Sequence, residues 1–347
     1  MQWIDELKLY KLIDYVNVEV INSAIRVSTK LHMVVLDEVH RYASDGFINI
    51  FRLRRPQAIL GLSATFHRLD GRHKLLEQYC PVIDTVTIEE ALEHGWVADY
   101  REYKVLITAD DYHKYQEANQ NFHDTFAVFN YDFPLAMNCV KNIIERRKYA
   151  KYLKIPAKEM DAIVFTWSRS LRARKDYVMN HPLKLELARK ILNARPFSKA
   201  ITFSGTIKQA EKIGIGQTIH SGKTKKKNRL TLEEFATMPT GVINTSKALD
   251  EGADVPGLNL AIVLSNNSSA TTKTQRIGRV IRAEKGKIAE IFTFVMAKTV
   301  EERWFESSSQ FSEYNEITQD ELDIILEGGV VETFAEKGKE VDQMFRM

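Results

Sequence analysis

The 347-residue sequence has only two cysteines, Cys80 and Cys139, and little that suggests secretion or membrane insertion. Two cysteines give neither a disulfide framework nor the spacing of a metal site, which favours a reducing compartment. No apolar run approaches the roughly 20 residues that a membrane-spanning helix needs. The N-terminus, with Trp3, Asp5 and Glu6, lacks the pattern of a signal peptide. We therefore expect a soluble, intracellular protein.

Charge is unevenly distributed along the sequence. The net charge is +3, but residues 301–347 contain 13 acidic and 4 basic residues and have a balance of −9. Residues 1–300 therefore carry +12. A basic body with an acidic tail is typical of a protein that binds a polyanion. A solvated tail beside an ordinary surface explains the charge equally well, so both interpretations stay open.

Short apolar runs rich in β-branched residues alternate with helical patterns, which indicates parallel sheets with crossover helices. The run Met33–Leu36 is apolar on both faces, as in a strand that is covered on both sides. The sequence therefore predicts an α/β protein with two parallel-sheet units. The expected strands are residues 18–22, 32–37, 57–62 and 81–85 in the first unit, and 200–203, 217–220, 241–244, 259–265 and 288–294 in the second.

Between the two sets of strands, aromatic-rich helical stretches replace the strand signals. Basic clusters recur there, at residues 146–148 and 169–175. We expect four segments, which are a first α/β unit (1–98), a helical insertion or linker (99–195), a second α/β unit (196–305) and an acidic tail (306–347).

The sequence Asp37-Glu38-Val39-His40 directly follows the apolar run 32–36. A carboxylate at the C-terminal end of a buried parallel strand lies where open α/β sheets bind ligands. In P-loop NTPases an aspartate there holds Mg²⁺, and a neighbouring carboxylate can activate the attacking water. Taken alone, the motif is more often the cap of a surface helix.

Small hydroxyl residues end the next apolar run, where Ser63 and Thr65 flank Ala64. This position suits the relay of a nucleotide state to a partner surface, although a plain strand-to-turn junction is the simpler explanation. Residues 244–256 follow a later apolar run and combine hydroxyl groups, a turn glycine and acids. That mixture suits contacts with a nucleotide and with a sugar-phosphate backbone.

A basic pattern begins at Gln275 and reads Gln-Arg-Ile-Gly-Arg-Val-Ile-Arg. Arg279 and Arg282 are three residues apart, so they project from one face of a helix. Paired guanidinium groups suit a clamp for the γ-phosphate as charge develops on it during transfer. A solvated basic helix face is the common alternative.

In order and spacing, these four patterns resemble motifs II, III, V and VI of superfamily 2 DExH-box helicases. The resemblance covers essentially residues 1–305 and is greatest to phage and bacterial DNA helicases of recombination and repair. It implies two RecA-like parallel-sheet domains, the first of them incomplete, joined by a helical insertion. It also implies an ATP-dependent DNA helicase or translocase that uses ATP and Mg²⁺ in a bacterial or phage-infected cell. Single-stranded or branched DNA is the implied partner, and RNA stays open.

The resemblance implies a role for each matching residue. Asp37 would coordinate Mg²⁺, Glu38 would polarise the hydrolytic water, and Arg279 and Arg282 would act as arginine fingers. The residues expected at the nucleotide are His40, Gly252, Asp254 and Gln275. Those expected at the nucleic-acid backbone are Asn22, Ser23, Ser63, Thr65, Ser204, Thr206, Thr245 and Ser246.

A glycine-rich phosphate-binding loop of the form GxxxxGK[ST] does not occur before Asp37. The segment Ser221-Gly222-Lys223-Thr224 resembles its end, but Gln217 stands where the first glycine is required. We therefore expect an N-terminally truncated motor that does not hydrolyse ATP alone. We also expect exposed apolar surface and marginal stability in residues 1–98 unless another chain completes that sheet.

Two other classes of protein fit the same residues. One is a non-catalytic nucleic-acid-binding fragment or split-gene subunit that pairs with a chain supplying the N-terminal part. The other is the motor portion of a restriction or remodelling enzyme, which shares these motifs.

Overall fold

The structure is a computed structural model, and it describes residues 2–26, 31–64, 66, 68, 70–246, 255–266, 270–282, 284, 286–309 and 313–331. The chain divides into two compact units. Of the described residues, the first unit contains those within 1–97 and 270–279, and the second contains those within 98–249, 255–269 and 280–347. Within the described residues, no helix is long and apolar enough to cross a membrane.

Strands and helices alternate along much of the chain. The strands are β1 (Met33–Leu36), β2 (Ala58–Gly61), β3 (Asp99–Ile107), β4 (Lys199–Phe203), β5 (Gln217–His220), β6 (Gly241–Ser246), β7 (Leu260–Val263), β8 (Ile288–Met296) and β9 (Asn315–Ile317). The first helices are α1 (Gln2–Leu9), α2 (Ile21–Ala24), α3 (Asn49–Arg54), α4 (His73–Glu77), α5 (Ile88–Glu93), α6 (Tyr112–Ala127), α7 (Phe133–Lys141), α8 (Ile143–Leu153) and α9 (Ala157–Asn180). The later helices are α10 (Pro182–Ala194), α11 (Ile207–Lys212), α12 (Lys225–Thr237), α13 (Ala270–Val280), α14 (Val300–Ser308) and α15 (Gln319–Leu326), and Val39–Ala43 forms a 3₁₀ helix.

The first unit contains a two-stranded parallel sheet, in which Met33 pairs with Ala58 and Leu36 with Gly61. One face of β1 packs into a small core with the 3₁₀ helix and with α3 and α4. The other face is open, since Met33 and Val35 are 55% and 49% exposed. The exposed apolar surface expected for this unit is therefore present in the described residues.

Two of the strands predicted for the first unit do not form. Residues 18–20 have no regular structure and residue 21 begins α2, while residues 81–87 have no strand pairing among the described residues. Val82, Ile83 and Val86 nevertheless expose their apolar side chains. A β-prone segment becomes a strand only when a neighbouring backbone accepts and donates its hydrogen bonds.

The second unit contains a seven-stranded sheet with the order β5-β6-β4-β7-β8-β3-β9. Every neighbouring pair in it is parallel, including β4 with β6 and β7 with β8. All residues of β4 and β7 are buried, as expected for central strands covered on both faces. The α/β class with parallel sheets is confirmed, and all five strands predicted for this unit form.

Strand β3 lies in residues that the sequence assigned to the helical insertion. It pairs with β8 along nine positions, from Asp99 with Ile288 to Ile107 with Met296. Its charged residues hide the strand pattern, but two of them become buried on folding. Buried Lys104 forms ion pairs with Glu306 and Glu316, which are more than 200 residues away along the chain.

Helices α6 to α9 form a helical bundle with its own core. Trp167 lies fully buried at its centre and has aromatic neighbours on α6, including Phe122 and Phe126. Helix α9 is 24 residues long and ends at Asn180. Helix α10 follows, and its Lys184 forms a fully buried ion pair with Glu301 on α14.

Candidate functional site

The Asp37–Glu38 turn is held at the C-terminal end of β1 by backbone hydrogen bonds to β2. Leu62 donates its N–H to Leu36, and Val39 donates its N–H to Leu62, both at 2.9 Å. Between these two bonds, Glu38 adopts a left-handed conformation with φ of 50°. Such a conformation is uncommon for a residue other than glycine and is enriched at functional sites. The turn thus places two adjacent carboxylates at the end of the strand.

Both carboxylate oxygens of Asp37 accept hydrogen bonds. The indole Nε1 of Trp3 donates to Oδ2 at 2.9 Å, and the backbone N–H of Glu38 donates to Oδ1 at 3.0 Å. Trp3 lies on α1, so the first described helix contacts the carboxylate that the resemblance assigns to Mg²⁺. Nothing in the sequence pattern pointed to Trp3.

His40 links the ends of β1 and β2. Its Nδ1 lies 2.8 Å from the Ser63 hydroxyl oxygen and 3.3 Å from Glu38 Oε2. The ring is only 9% exposed. Burial, followed by the positive charges of Arg41 and Arg68, lowers the pKa of His40. The neutral imidazole therefore predominates near pH 7.

Arg68 also contacts the residues that follow β1. Its Nη1 donates to the His40 carbonyl at 3.0 Å, and its Nη2 donates to Asp70 Oδ2 at 2.6 Å. The hydrogen bond from the Arg68 side chain, followed by one from the Arg72 backbone, holds the pKa of Asp70 far below its usual range. The sequence patterns gave no role to Arg68 or Asp70, whereas the structure gives Arg68 a direct contact with His40.

Gln275 joins this group although it is 237 residues away from Glu38 in the sequence. Its Nε2 donates to Glu38 Oε1 at 3.1 Å. Arg279 follows one turn later on α13 and belongs to the same unit. The first unit therefore brings together five predicted site residues, which are Asp37, Glu38, His40, Ser63 and Gln275.

A second group of predicted residues lies at the C-terminal ends of β4 and β6 in the second unit. Ser204 donates its backbone N–H to the Thr245 carbonyl at 2.8 Å. The hydroxyl groups of Ser204 and Thr245 are buried and have no hydrogen-bond partner among the described residues. Thr206 instead caps α11 by accepting the N–H of Gln209, and Ser246 is buried. Two adjacent strands thus end in buried hydroxyl groups that make no hydrogen bond to any described residue.

Gln209 holds this second group in place, and the sequence gave no signal for it. Its Nε2 donates to the Met179 carbonyl at 2.7 Å, and its Oε1 accepts the N–H of Gly205 at 2.9 Å. The Ser265 hydroxyl donates to the same Met179 carbonyl at 2.9 Å. The end of α9, the turn after β4 and the end of β7 therefore meet at one buried amide.

Several predicted residues are not joined to either group. Asn22 and Ser23 are exposed on α2 in the first unit, and Arg282 is exposed in the second. Thr65, Gly252 and Asp254 lie outside the described residues. The roles assigned to all these residues stay predictions.

Asp37 fits a magnesium ion, but the described residues do not provide a phosphate cradle. No group of three or more His, Cys, Asp or Glu side chains with metal-site geometry occurs within them. A single carboxylate is nonetheless suitable, because protein-bound Mg²⁺ keeps several waters and binds substrate phosphates. In the segment 221–224, Lys223 Nζ donates to the Thr218 carbonyl at 2.6 Å, and Thr224 caps α12. This lysine therefore contacts the preceding strand, β5.

Comparison with known proteins finds helicases among the relatives of this chain. Residues 183–284 match the family described as helicase conserved C-terminal domain. Superfamily 2 helicases are homologues of this chain. The DNA 3'-5' translocase XPB2 of Sulfurisphaera tokodaii is 28% identical over 285 residues, which cover 80% of this chain and 61% of XPB2. The chain thus spans about three-fifths of the length of that relative.

The fold has a counterpart among solved structures. The structure of S. cerevisiae Dbp5 bound to RNA and ADP BeF3 matches with a TM-score of 0.50 and 13% identity, covering 93% of this chain and 65% of that chain. At this identity the likeness concerns the fold alone. The structural neighbours are RecA-like helicase domains, in agreement with the parallel sheets described above.

Proposed function

We propose that this chain is the motor portion of an ATP-dependent superfamily 2 DNA helicase or translocase acting in recombination, repair or replication. The observation that carries the proposal is the cluster at the end of β1. There Glu38 is turned out of the strand, contacts Gln275 and lies 3.3 Å from His40. Adjacent carboxylates with a glutamine from a distant helix suit a site that responds to nucleotide hydrolysis.

DNA is the nucleic acid that we propose the chain binds, because its relative XPB2 is a DNA translocase. The hydroxyl groups of Ser204 and Thr245 are buried, and we expect them to become accessible when nucleic acid binds and then to donate to phosphate oxygens. Such contacts are independent of sequence. Hydroxyl contacts to phosphate do not distinguish DNA from RNA, which requires recognition of the 2′-hydroxyl. We therefore expect binding with little sequence preference and a steep dependence on salt.

Asp37 is the proposed magnesium ligand and Glu38 the residue that orients water. When bound, ATP with Mg²⁺ would supply the phosphoryl group that is transferred to water. The Trp3 indole holds one Asp37 oxygen, so we expect Trp3 to release it when a cation binds there. Arg279 and Arg282 are proposed to act as arginine fingers on the transferred phosphoryl group.

A second function is favoured by three observations. Asp37 accepts a hydrogen bond from Trp3, and Lys223 donates to the preceding strand. The sequence of residues 1–347 also contains no match to GxxxxGK[ST]. The chain would then be a non-catalytic nucleic-acid-binding subunit, or one that needs a second polypeptide carrying the loop.

The test is ATP hydrolysis by residues 1–347, with and without single-stranded DNA, beside a Glu38→Gln variant. Glutamine keeps the size of Glu38 and a hydrogen bond to Gln275 but cannot act as a carboxylate. We expect no turnover by the chain alone. A polypeptide with a GxxxxGK[ST] loop and its preceding strand should restore DNA-stimulated turnover to the wild type and not to Glu38→Gln.

Each other outcome has a definite meaning. Turnover by the chain alone that Glu38→Gln abolishes would show that another segment binds the phosphates. Salt-sensitive DNA binding with no turnover under any condition would support the non-catalytic subunit. A chain that neither binds DNA nor hydrolyses ATP would contradict both functions.

A further inference from the structure

Helix α9 of the helical bundle has two opposite faces. Its inner face carries Met160, Val164 and Trp167, which are buried in the bundle core. Its outer face carries exposed residues at alternating intervals of four and three, and they are Lys158, Ala162, Phe165, Arg169 and Arg172. This spacing keeps the exposed residues in one stripe along the helix. We call them the α9 stripe.

The structure sorts the basic residues of the bundle into two classes. Arg146 and Arg147 bind Asp161 within the bundle, and Lys148 binds Glu145. The hydrogen bonds from Arg147 and Arg146 lower the pKa of Asp161 to about 2. These cations already have partners, so their charge is largely compensated.

Arg174 belongs to the same class, because it is buried with its guanidinium carbon 4.1 Å from the centre of the Phe122 ring. Arg169, Arg172 and Lys175 are different. They are exposed, and none of them forms an ion pair with any described residue. No acidic residue occurs between Asp161 and Asp176. This part of α9 therefore presents uncompensated positive charge.

An aromatic ring lies next to the basic part of the stripe. Phe165 is 66% exposed, and it precedes Arg169 by about one helical turn, a rise of about 6 Å. A phenylalanine side chain left in water forgoes the free energy that its burial would contribute. A flat apolar ring beside two guanidinium groups offers a surface on which a nucleobase can stack while the arginines contact phosphates.

We propose that the α9 stripe is a binding surface for single-stranded nucleic acid, separate from the hydroxyl groups at the ends of β4 and β6. Phe165 stacks on an unpaired base, and Arg169 and Arg172 contact neighbouring phosphates. Single strands are favoured over duplexes because paired bases are stacked on each other and do not offer a free face. The inference rests on the proposed function, since it requires that the chain binds nucleic acid.

The experiment measures the affinity of the full 347-residue chain for a fluorescent 20-nucleotide oligo-dT at several salt concentrations. The test variants are Phe165→Ala and the double variant Arg169→Gln with Arg172→Gln. The matched control is Arg147→Gln with Lys148→Gln, which removes the same charge from the same bundle at partnered positions. Circular dichroism checks that every variant is folded, and oligo-rU and a blunt duplex serve as comparison ligands.

The two kinds of contact leave different signatures. Loss of two phosphate contacts should make the slope of log affinity against log salt shallower by about 1.4, since each contact contributes about 0.7 for single strands. Phe165→Ala should weaken binding about tenfold on single strands and leave the slope unchanged. It should have no effect on the blunt duplex. The control should retain both affinity and slope to within the error of the measurement.

Several results would overturn the proposal. An equal loss of slope in the control would show that only net charge matters. An unchanged affinity in Phe165→Ala, or an equal loss on the duplex, would exclude base stacking. Absence of binding by the wild type would contradict the proposed function together with this inference, whereas wild-type binding that no variant alters would contradict this inference alone. Oligo-rU bound as well as oligo-dT would show that the surface accepts both DNA and RNA.

Discussion

The two parallel sheets of this protein differ in how completely their faces are covered. In the seven-stranded sheet, the central strands β4 and β7 are buried at every position. In the two-stranded sheet, β1 buries Leu36 but exposes Met33 and Val35. β1 contains only apolar residues, whereas β4 contains Lys199 and Thr202, so neighbouring elements and not apolar content decide which strand becomes core. The carboxylates of the candidate site lie on the less covered sheet, where stability is expected to be lower.

The largest expected effect lies in the well-covered sheet. Lys184→Met leaves Glu301 as a buried carboxylate without its cation, and both side chains are 0% exposed. Removal of one partner of a buried ion pair costs about 3–5 kcal/mol in the free energy of unfolding. Urea unfolding followed by far-ultraviolet circular dichroism measures the loss, and hydrogen exchange assigns it to the second unit.

The control for this variant removes both charges. Lys184→Met combined with Glu301→Leu should recover most of the lost stability, because an apolar pair replaces the ion pair. If the double variant is as unstable as Lys184→Met, the hydrogen bonds that Glu301 accepts from Met296 and Asn266 are the more important contribution.

An intermediate effect is expected in the two-stranded sheet. In Gly61→Ala the new Cβ would lie 2.9 Å from Val39 Cγ2 and 3.1 Å from Val39 Cβ. Overpacking of this kind costs about 1–3 kcal/mol. Because Val39 follows Glu38, the variant should speed hydrogen exchange at residues 33–39 and 58–62 and leave the seven-stranded sheet unchanged.

Gly46→Ala is the matched control for Gly61→Ala. It lies in the same unit and has no atom within 4 Å of the added Cβ. Equal loss of protection in the two variants would mean that glycine flexibility, and not the contact with Val39, governs the first unit.

The smallest expected effect is a pH dependence confined to the first unit. The pKa of His40 is lowered on folding, so the unfolded chain binds a proton at a higher pH than the folded chain does. Stability is therefore complete above the unfolded value of about 6.5 and decreases as the pH falls towards the folded pKa. Hydrogen exchange of residues 33–62 at pH 7.5 and at pH 5.5 measures this decrease.

His40→Gln should flatten this pH dependence, because glutamine does not titrate. His113→Gln, on an exposed part of α6, serves as the control and should retain it. A wild type whose first unit is equally stable at both pH values would contradict the account of His40.

Prediction from sequence succeeded where the signal is local. The apolar runs before Asp37 and before Ser63 predicted β1 and β2, because a short continuous apolar run bounded by turn residues is typical of a strand in a parallel sheet. It failed at β3, where Glu102 and Lys104 interrupt the apolar pattern. Lys104 is acceptable inside the sheet only because Glu306 and Glu316 meet it there, and no local pattern reports partners 200 residues away.

The sequence by itself determined the α/β class, the order of the motifs and the position of Asp37 and Glu38 after an apolar strand. These features depend on residues close together in the chain. Only the tertiary structure decided that Gln275 and Trp3 contact the two carboxylates, and that Arg169 and Arg172 are exposed while Arg174 is buried. The physical reason is that burial and hydrogen bonding depend on which distant segments pack together. Residue type and spacing define what a side chain can do, and packing defines what it meets.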